Sequence, residues 1–123
     1  MNAAIDAQKG YSAATRSIRT PRSIEYQVLA GITHRIREAA VKNGKGFVEL
    51  VEALTDNRRL WAIFAADVAE EGNNLPDELK ARIFYLSEFT FQHTSKVLAR
   101  KEDVRPLLDI NTAILRGLRT GES

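Results

Sequence analysis

No cysteine occurs among the 123 residues, which excludes disulfide bonds and thiolate metal sites and suits a reducing cytosol. Long apolar runs are also missing. Nowhere do eighteen apolar residues follow one another, and the start, from Met1 to Ser17, holds no continuous apolar stretch long enough for a signal peptide. Both absences predict a soluble, cytoplasmic chain with no membrane segment. No alternating apolar and polar stretch of useful length is found, so strands are not expected. The two histidines, His34 and His93, fall on different predicted helices with no carboxylate at ligand spacing. Nucleophile elbows, phosphate loops and paired-acid motifs are likewise absent, and Gly44-Lys45-Gly46 lacks the rest of a Walker loop and reads as a turn. The expectation is a protein that is not an enzyme and carries no cofactor or metal.

What is present is helical periodicity. A chain of this length with 44% hydrophobic residues can bury a real core. The organising stretch runs from Lys45 to Asn74 and carries the single tryptophan. Projected at 100° per residue, Phe47, Leu50, Val51, Leu54, Trp61, Phe64, Ala65 and Val68 share one arc, the mark of a long helix with a buried face. Asn57 sits inside that arc. Upstream, Thr20 and Pro21 open a helix whose face is Ile24, Val28, Ile32, Ile36 and Ala39 or Ala40, with Asn43-Gly44 as a left-handed stop. Residues 1–19 offer only a narrow stripe of Ala4, Ala7, Tyr11, Ala14 and Ile18, interrupted by Gly10, and predict a weak helix or arm.

Leu75-Pro76-Asp77-Glu78 opens a further helix running to about Arg100. Leu79, Ile83, Leu86, Thr90, His93 and Val97 form its core stripe. Phe84, Phe91 and Leu98 recur every seven residues on another flank. That second stripe is either ordinary core of a sandwiched helix or the lining of a groove for a helical guest. Asp103 caps a last helix with Leu107, Ile110, Ile114, Leu115 and Leu118 on its arc and Asn111 in the middle. The expected core therefore contains Leu54, Trp61, Phe64, Leu79, Ile83, Leu86, Leu107, Ile110, Ile114 and Leu118. The fold class is all-α: an antiparallel bundle of four main helices over 20–123, plus the arm.

Buried amides need partners, since one left unpaired costs about 1–3 kcal/mol. Asn57 and Asn111 must bond either to neighbouring backbone or to each other, fixing helix register, or one of them presents its amide to a bound chain. Charge is uneven although the net is only +2: residues 1–45 carry eight Lys/Arg against three Asp/Glu, and 46–80 carry three against eight. The two segments either face one another or simply solvate. A nucleic-acid surface would need aromatics interleaved with the basic residues for stacking, and no such interleaving accompanies them. Glu70 and Glu71 oppose the dipole at a helix C-terminus, a mismatch that calls for a basic neighbour. Arg58 and Arg59 are the candidates for clamping an acidic partner or a phosphate.

The run Asn57-Arg58-Arg59-Leu60-Trp61 before an acid-ended helix, then Leu75-Pro76, then Pro106-Leu107-Leu108-Asp109-Ile110-Asn111 with Gly117-Leu118, resembles the FlaF family of alphaproteobacterial flagellar biosynthesis regulators. Thr20-Pro21-Arg22-Ser23-Ile24-Glu25 fits the start of the same pattern, so the resemblance covers about Tyr11 to Arg119. It implies a cytoplasmic protein that acts on flagellin as a chaperone-like partner, supporting flagellin synthesis or secretion, with FlbT as a functional counterpart. On this reading Phe84, Phe91 and Leu98 receive a terminal helix of flagellin. The alternative is a post-transcriptional regulator that grips flagellin mRNA directly through its basic first third and Arg58-Arg59.

Overall fold

Four helices are seen in the computed structural model, which describes residues 21–121 and the side chains of 25–117. The predicted arm at 1–19 and the side chains of Ile24 and Leu118 lie outside the described residues. Pro21 stands at the first position of α1 (Pro21–Ala40), where its missing N–H would have had no intrahelical partner anyway. Asn43 at φ 51° and Gly44 at φ 88° then turn the chain back in the left-handed region. Gly46 closes this turn against α1. A Cβ there would meet the Ala39 carbonyl oxygen at 2.7 Å and the Lys42 stem at 2.9 Å, so the close approach itself demands glycine.

The second helix, α2 (Phe47–Ala69), ends a turn earlier than Gly72-Asn73-Asn74 would suggest. Glu70 is already extended, and the Asn73 side-chain amide reaches back to the Asp67 carbonyl at 3.1 Å while its oxygen accepts from the Leu75 N–H at 3.0 Å. This Asx turn stops one helix and aims the next. The third helix, α3 (Asp77–Leu98), closes in a Schellman-type end, with Lys101 N–H on the Lys96 carbonyl at 2.9 Å and Arg100 at φ 62°. A left-handed arginine is costly backbone, and its guanidinium lies over the Phe47 ring, 4.4 Å from the centroid. Asp103 Oδ1 accepts from the Arg105 N–H at 2.9 Å and sets the entry to α4 (Arg105–Gly121).

Around the bundle, α2 packs between α1 and α3, and α4 packs on α1. The seam between α4 and α3 is much thinner, and α1 and α3 lie diagonally with no backbone approach. The core is drawn from Leu29, Ile32 and Ile36 of α1, Ala53, Leu54 and Leu60 of α2, and Leu107 of α4, with Val97 and Val104 closing one end. Trp61 is fully buried and meets Phe64 edge-on at 5.2 Å. Phe64, Ile83, Leu86, Ile110 and Ile114 are half-buried. The core expectation fails at Leu79, which is 38% exposed. Its turn of α3 has the last turn of α2 as its main neighbour, because the α4 side is nearly open. What α3 buries is instead mostly polar: Ser87, Thr90, His93 and Thr94, with Val97 the one fully covered aliphatic.

A buried polar network ties the other three helices. Asn111 of α4 donates to the Asn57 side-chain oxygen at 2.9 Å and to the Thr33 hydroxyl at 3.0 Å, and accepts from the Trp61 indole N–H at 3.0 Å. Thr33 in turn donates to the Leu29 carbonyl at 2.7 Å. The charge segregation of the sequence also meets here. Arg35 of α1 donates to Asp56 Oδ2 at 2.8 Å, with Arg59 Nη1 3.7 Å from the other carboxylate oxygen. No comparable basic partner stands at Glu70 or Glu71 among the described residues, so the neighbour expected there is not found.

Two stability measurements test this account. Asn111→Leu strands the Trp61 N–H and the Asn57 carbonyl, each worth about 1–3 kcal/mol when left unpaired, and Asn57→Leu/Asn111→Leu together should cost clearly less than the sum of the singles in urea unfolding. Additive losses would mean the two amides are not coupled. Gly46→Ala should lower stability by about 1–3 kcal/mol, because the obstructing Ala39 oxygen is backbone and cannot swing away; an unchanged urea midpoint would show that the turn opens freely.

Candidate functional site

Burial sorts the residues singled out by sequence into two groups. Asn57, Asn111, Leu54, Trp61 and Leu107 are sealed inside. The predicted stripe of Phe84, Phe91 and Leu98 splits by depth: Leu98 packs against the core, Phe91 is half-buried, and Phe84 stays 47% exposed. A heptad flank is one line along a helix, but α3 is covered unevenly along its length. Its last turns meet Val104 and the first turn of α4, whereas its first turns have Val68 of α2 beside them.

The exposed end of that flank belongs to a groove of about 460 Å³ lined by Val68 from the last turn of α2 and by Lys80, Ala81, Phe84 and Tyr85 of α3. Helical register puts Lys80, Ala81, Phe84 and Tyr85 on one side of α3 at spacings of three and four. Tyr85 is 67% exposed, and Leu79 adds further apolar surface at the same end. Alanine at position 81 keeps the floor low between the two rings. Sequence reasoning reached Phe84 but missed Tyr85 and Val68: Tyr85 continues no apolar stripe, and Val68 comes from another helix. Phe91 and Leu98 do not line this groove.

Arg58 and Arg59 are both committed within the chain. Arg58 Nη2 donates to the Phe91 carbonyl at 3.0 Å and to the Ser95 hydroxyl at 2.9 Å, latching α3 onto α2. Arg59 faces Asp56. The same seam has Ser87 donating to its own helix at the Ile83 carbonyl, 2.8 Å, with the Trp61 carbonyl at 3.4 Å. His93 is nearly buried, stacks on Phe89 with centroids 5.4 Å apart, and places Nε2 2.9 Å from the Asp103 carbonyl, which accepts its proton. The ring therefore fastens α3 to the loop before α4, and His34 is exposed on α1. Among the described residues, no group of three His, Asp or Glu side chains could hold a metal ion, and no helix is long and apolar enough to cross a membrane.

A second cleft of about 300 Å³ lies between α1 and α4, with Tyr26, Arg37, Thr112 and Arg116 among its lining residues. It has no large exposed apolar side chain. The arrangement at Phe84 and Tyr85 is the one suited to taking up an apolar surface, since two aromatic rings beside an aliphatic floor gain most from losing water.

The family model for flagellar protein FlaF matches residues 7–118 of the chain. No curated protein and no solved structure matches it.

Latch and groove residues should separate in unfolding experiments. Arg58→Ala removes two bonds that hold α3 and is expected to cost about 1–3 kcal/mol, whereas Phe84→Ala, starting from a half-exposed ring, should cost about 1 kcal/mol or less. A large loss for Phe84→Ala would mean that its ring is structural.

Proposed function

We propose, on the premise that this chain belongs to the FlaF family of flagellar proteins, that it regulates flagellar biosynthesis by binding flagellin as a cytoplasmic chaperone that supports flagellin synthesis and secretion. It works as an interaction protein rather than an enzyme, with FlbT as its functional counterpart. The observation that carries this reading is the groove at Phe84 and Tyr85, where two large aromatic side chains are left in water on a helix that α4 barely covers. An amphipathic helix laid along such a groove buries its apolar face against rings already held in place. The ends of flagellin fit this role chemically. They are unstructured before assembly and become amphipathic helices in the filament, so masking one of them prevents premature polymerisation.

The reading as a direct binder of flagellin mRNA has less support. The basic first third and Arg58-Arg59 would have to grip phosphates, yet Arg58 already bonds α3 and Arg59 faces Asp56 within the bundle. The most exposed aromatic pair, Phe84 and Tyr85, stands amid carboxylates rather than in a basic stripe.

Isolation of native complexes with and without nuclease tests the choice. Flagellin is expected to stay bound after nuclease and to be lost, by about tenfold or more in affinity, in Phe84→Ala and Tyr85→Ala chains that remain folded. Flagellin released by nuclease would sink the chaperone reading.

A further inference from the structure

The groove at Phe84 and Tyr85 has one charged lining residue, Lys80, and a surround in which acids outnumber bases. Between residues 67 and 88 the chain carries six carboxylates, Asp67, Glu70, Glu71, Asp77, Glu78 and Glu88, against two cations, Lys80 and Arg82. All six acids are exposed. Asp77 and Glu88 stand one turn to either side of Ala81 and Phe84 on the same face of α3, and Glu78 lies two turns before Tyr85 on the Tyr85 side. Glu70 and Glu71 end α2 just beyond Val68. Arg82 stands one turn from both Glu78 and Tyr85 without lining the groove, so Lys80 is the one cation in its lining. None of these carboxylates has an ion pair among the described residues.

Two of them stand where they oppose the fold. Glu70 and Glu71 sit at the negative end of the α2 dipole, where acids are unfavourable and no basic side chain of the described chain comes to meet them. The groove therefore lacks an apolar cover, and the acids around it have no ion-pair partner among the described residues. We infer that the guest of this groove is an amphipathic helix whose apolar face is bordered by lysine or arginine, seated with its apolar residues on Phe84, Tyr85 and Val68 and its cations against Glu70, Glu71, Asp77 and Glu88. The inference rests on the groove being the guest site of the proposed chaperone and adds the charge of that guest. Opposite charge at the rim speeds encounter and selects the partner, while the rings hold it.

Binding of two synthetic helical peptides to the full chain tests this, read by fluorescence anisotropy. The peptides share one apolar face and carry either lysines or glutamates along its borders. The lysine-bordered peptide is expected to bind at least about tenfold tighter at low salt, with the gap narrowing as salt screens the rim. Phe84→Ala should weaken both peptides, and the rim variant Glu70→Lys/Glu71→Lys/Glu88→Lys, changed only at exposed positions, should reverse the preference. Equal affinity for the two peptides, a preference untouched by the rim variant, or binding unaffected by Phe84→Ala each overturns the inference. So does a homodimer that Phe84→Ala dissolves, since the occupant is then a second copy of this chain. Flagellin capture measured in parallel keeps the two ideas apart. Capture without any peptide charge preference overturns the charge of the guest alone, and charge preference without capture supports the guest chemistry while overturning flagellin as its source.

Discussion

One carboxamide decides how three of the four helices stand. Asn111 uses both N–H groups and its oxygen on α1 and α2, and two of the three bonds, to Asn57 Oδ1 and from the Trp61 N–H, satisfy buried groups that would otherwise have no partner. Apolar packing alone tolerates small slides and rotations of one helix on another, whereas a shared amide does not. The register of α4 against both α1 and α2 is therefore set by hydrogen-bond geometry and only filled in by leucine and isoleucine. The fourth helix is left outside this agreement. It is joined through the Ser87 hydroxyl on the Trp61 carbonyl, through Arg58, and through His93, with little apolar burial along its first half. The exposed rings of Phe84 and Tyr85 follow from that exclusion.

Much of the bundle was legible because helical period and stop signals agree at each segment. Pro21, Asn43-Gly44 and Asp103 act where their chemistry says they should. Asn57 and Asn111 stood out as polar residues on apolar arcs, and that anomaly pointed to the network. Its other members gave no such signal. A threonine at 33 and a tryptophan N–H at 61 are common on any helix, and nothing local says that they meet Asn111 across tens of residues. Leu79 misled for the opposite reason. Periodicity tells which way a side chain points, but whether another element waits there depends on how the helices splay. The buried face of α3 was also hard to read, since Ser87 and Thr94 satisfy their hydroxyls on carbonyls four residues back and can be buried as cheaply as small apolar residues.

The groove was half legible. Phe84 was marked as surplus to one core stripe, but the partners that make a surface of it, Tyr85 beside it and Val68 from α2, become neighbours only once two helices are placed. The uneven charge was visible too, and the structure divides it. The basic first third meets the acidic stretch at Arg35 and Asp56, in the middle of the bundle, while the acids at the end of α2 and the start of α3 are left to solvent. A flagellar protein with this division presents one internal electrostatic join and one outward-facing acidic, aromatic surface.

The way α3 is fastened gives it a mechanical character. At its far end, Val97 and Leu98 sit in the core, His93 holds the Asp103 carbonyl, and Arg100 is clasped over Phe47. At its near end it rests on the last turns of α2 and on almost nothing else. A rod clamped at one root and resting along its length on a single neighbour is a cantilever supported from one side. Force applied near Phe84 tilts its tip, and the bending moment is carried to the root, where His93 and Val97 adjoin the entrance to α4. A load at the tip is thus carried toward the opposite end of the molecule by a path that does not pass through the Asn111 bonds.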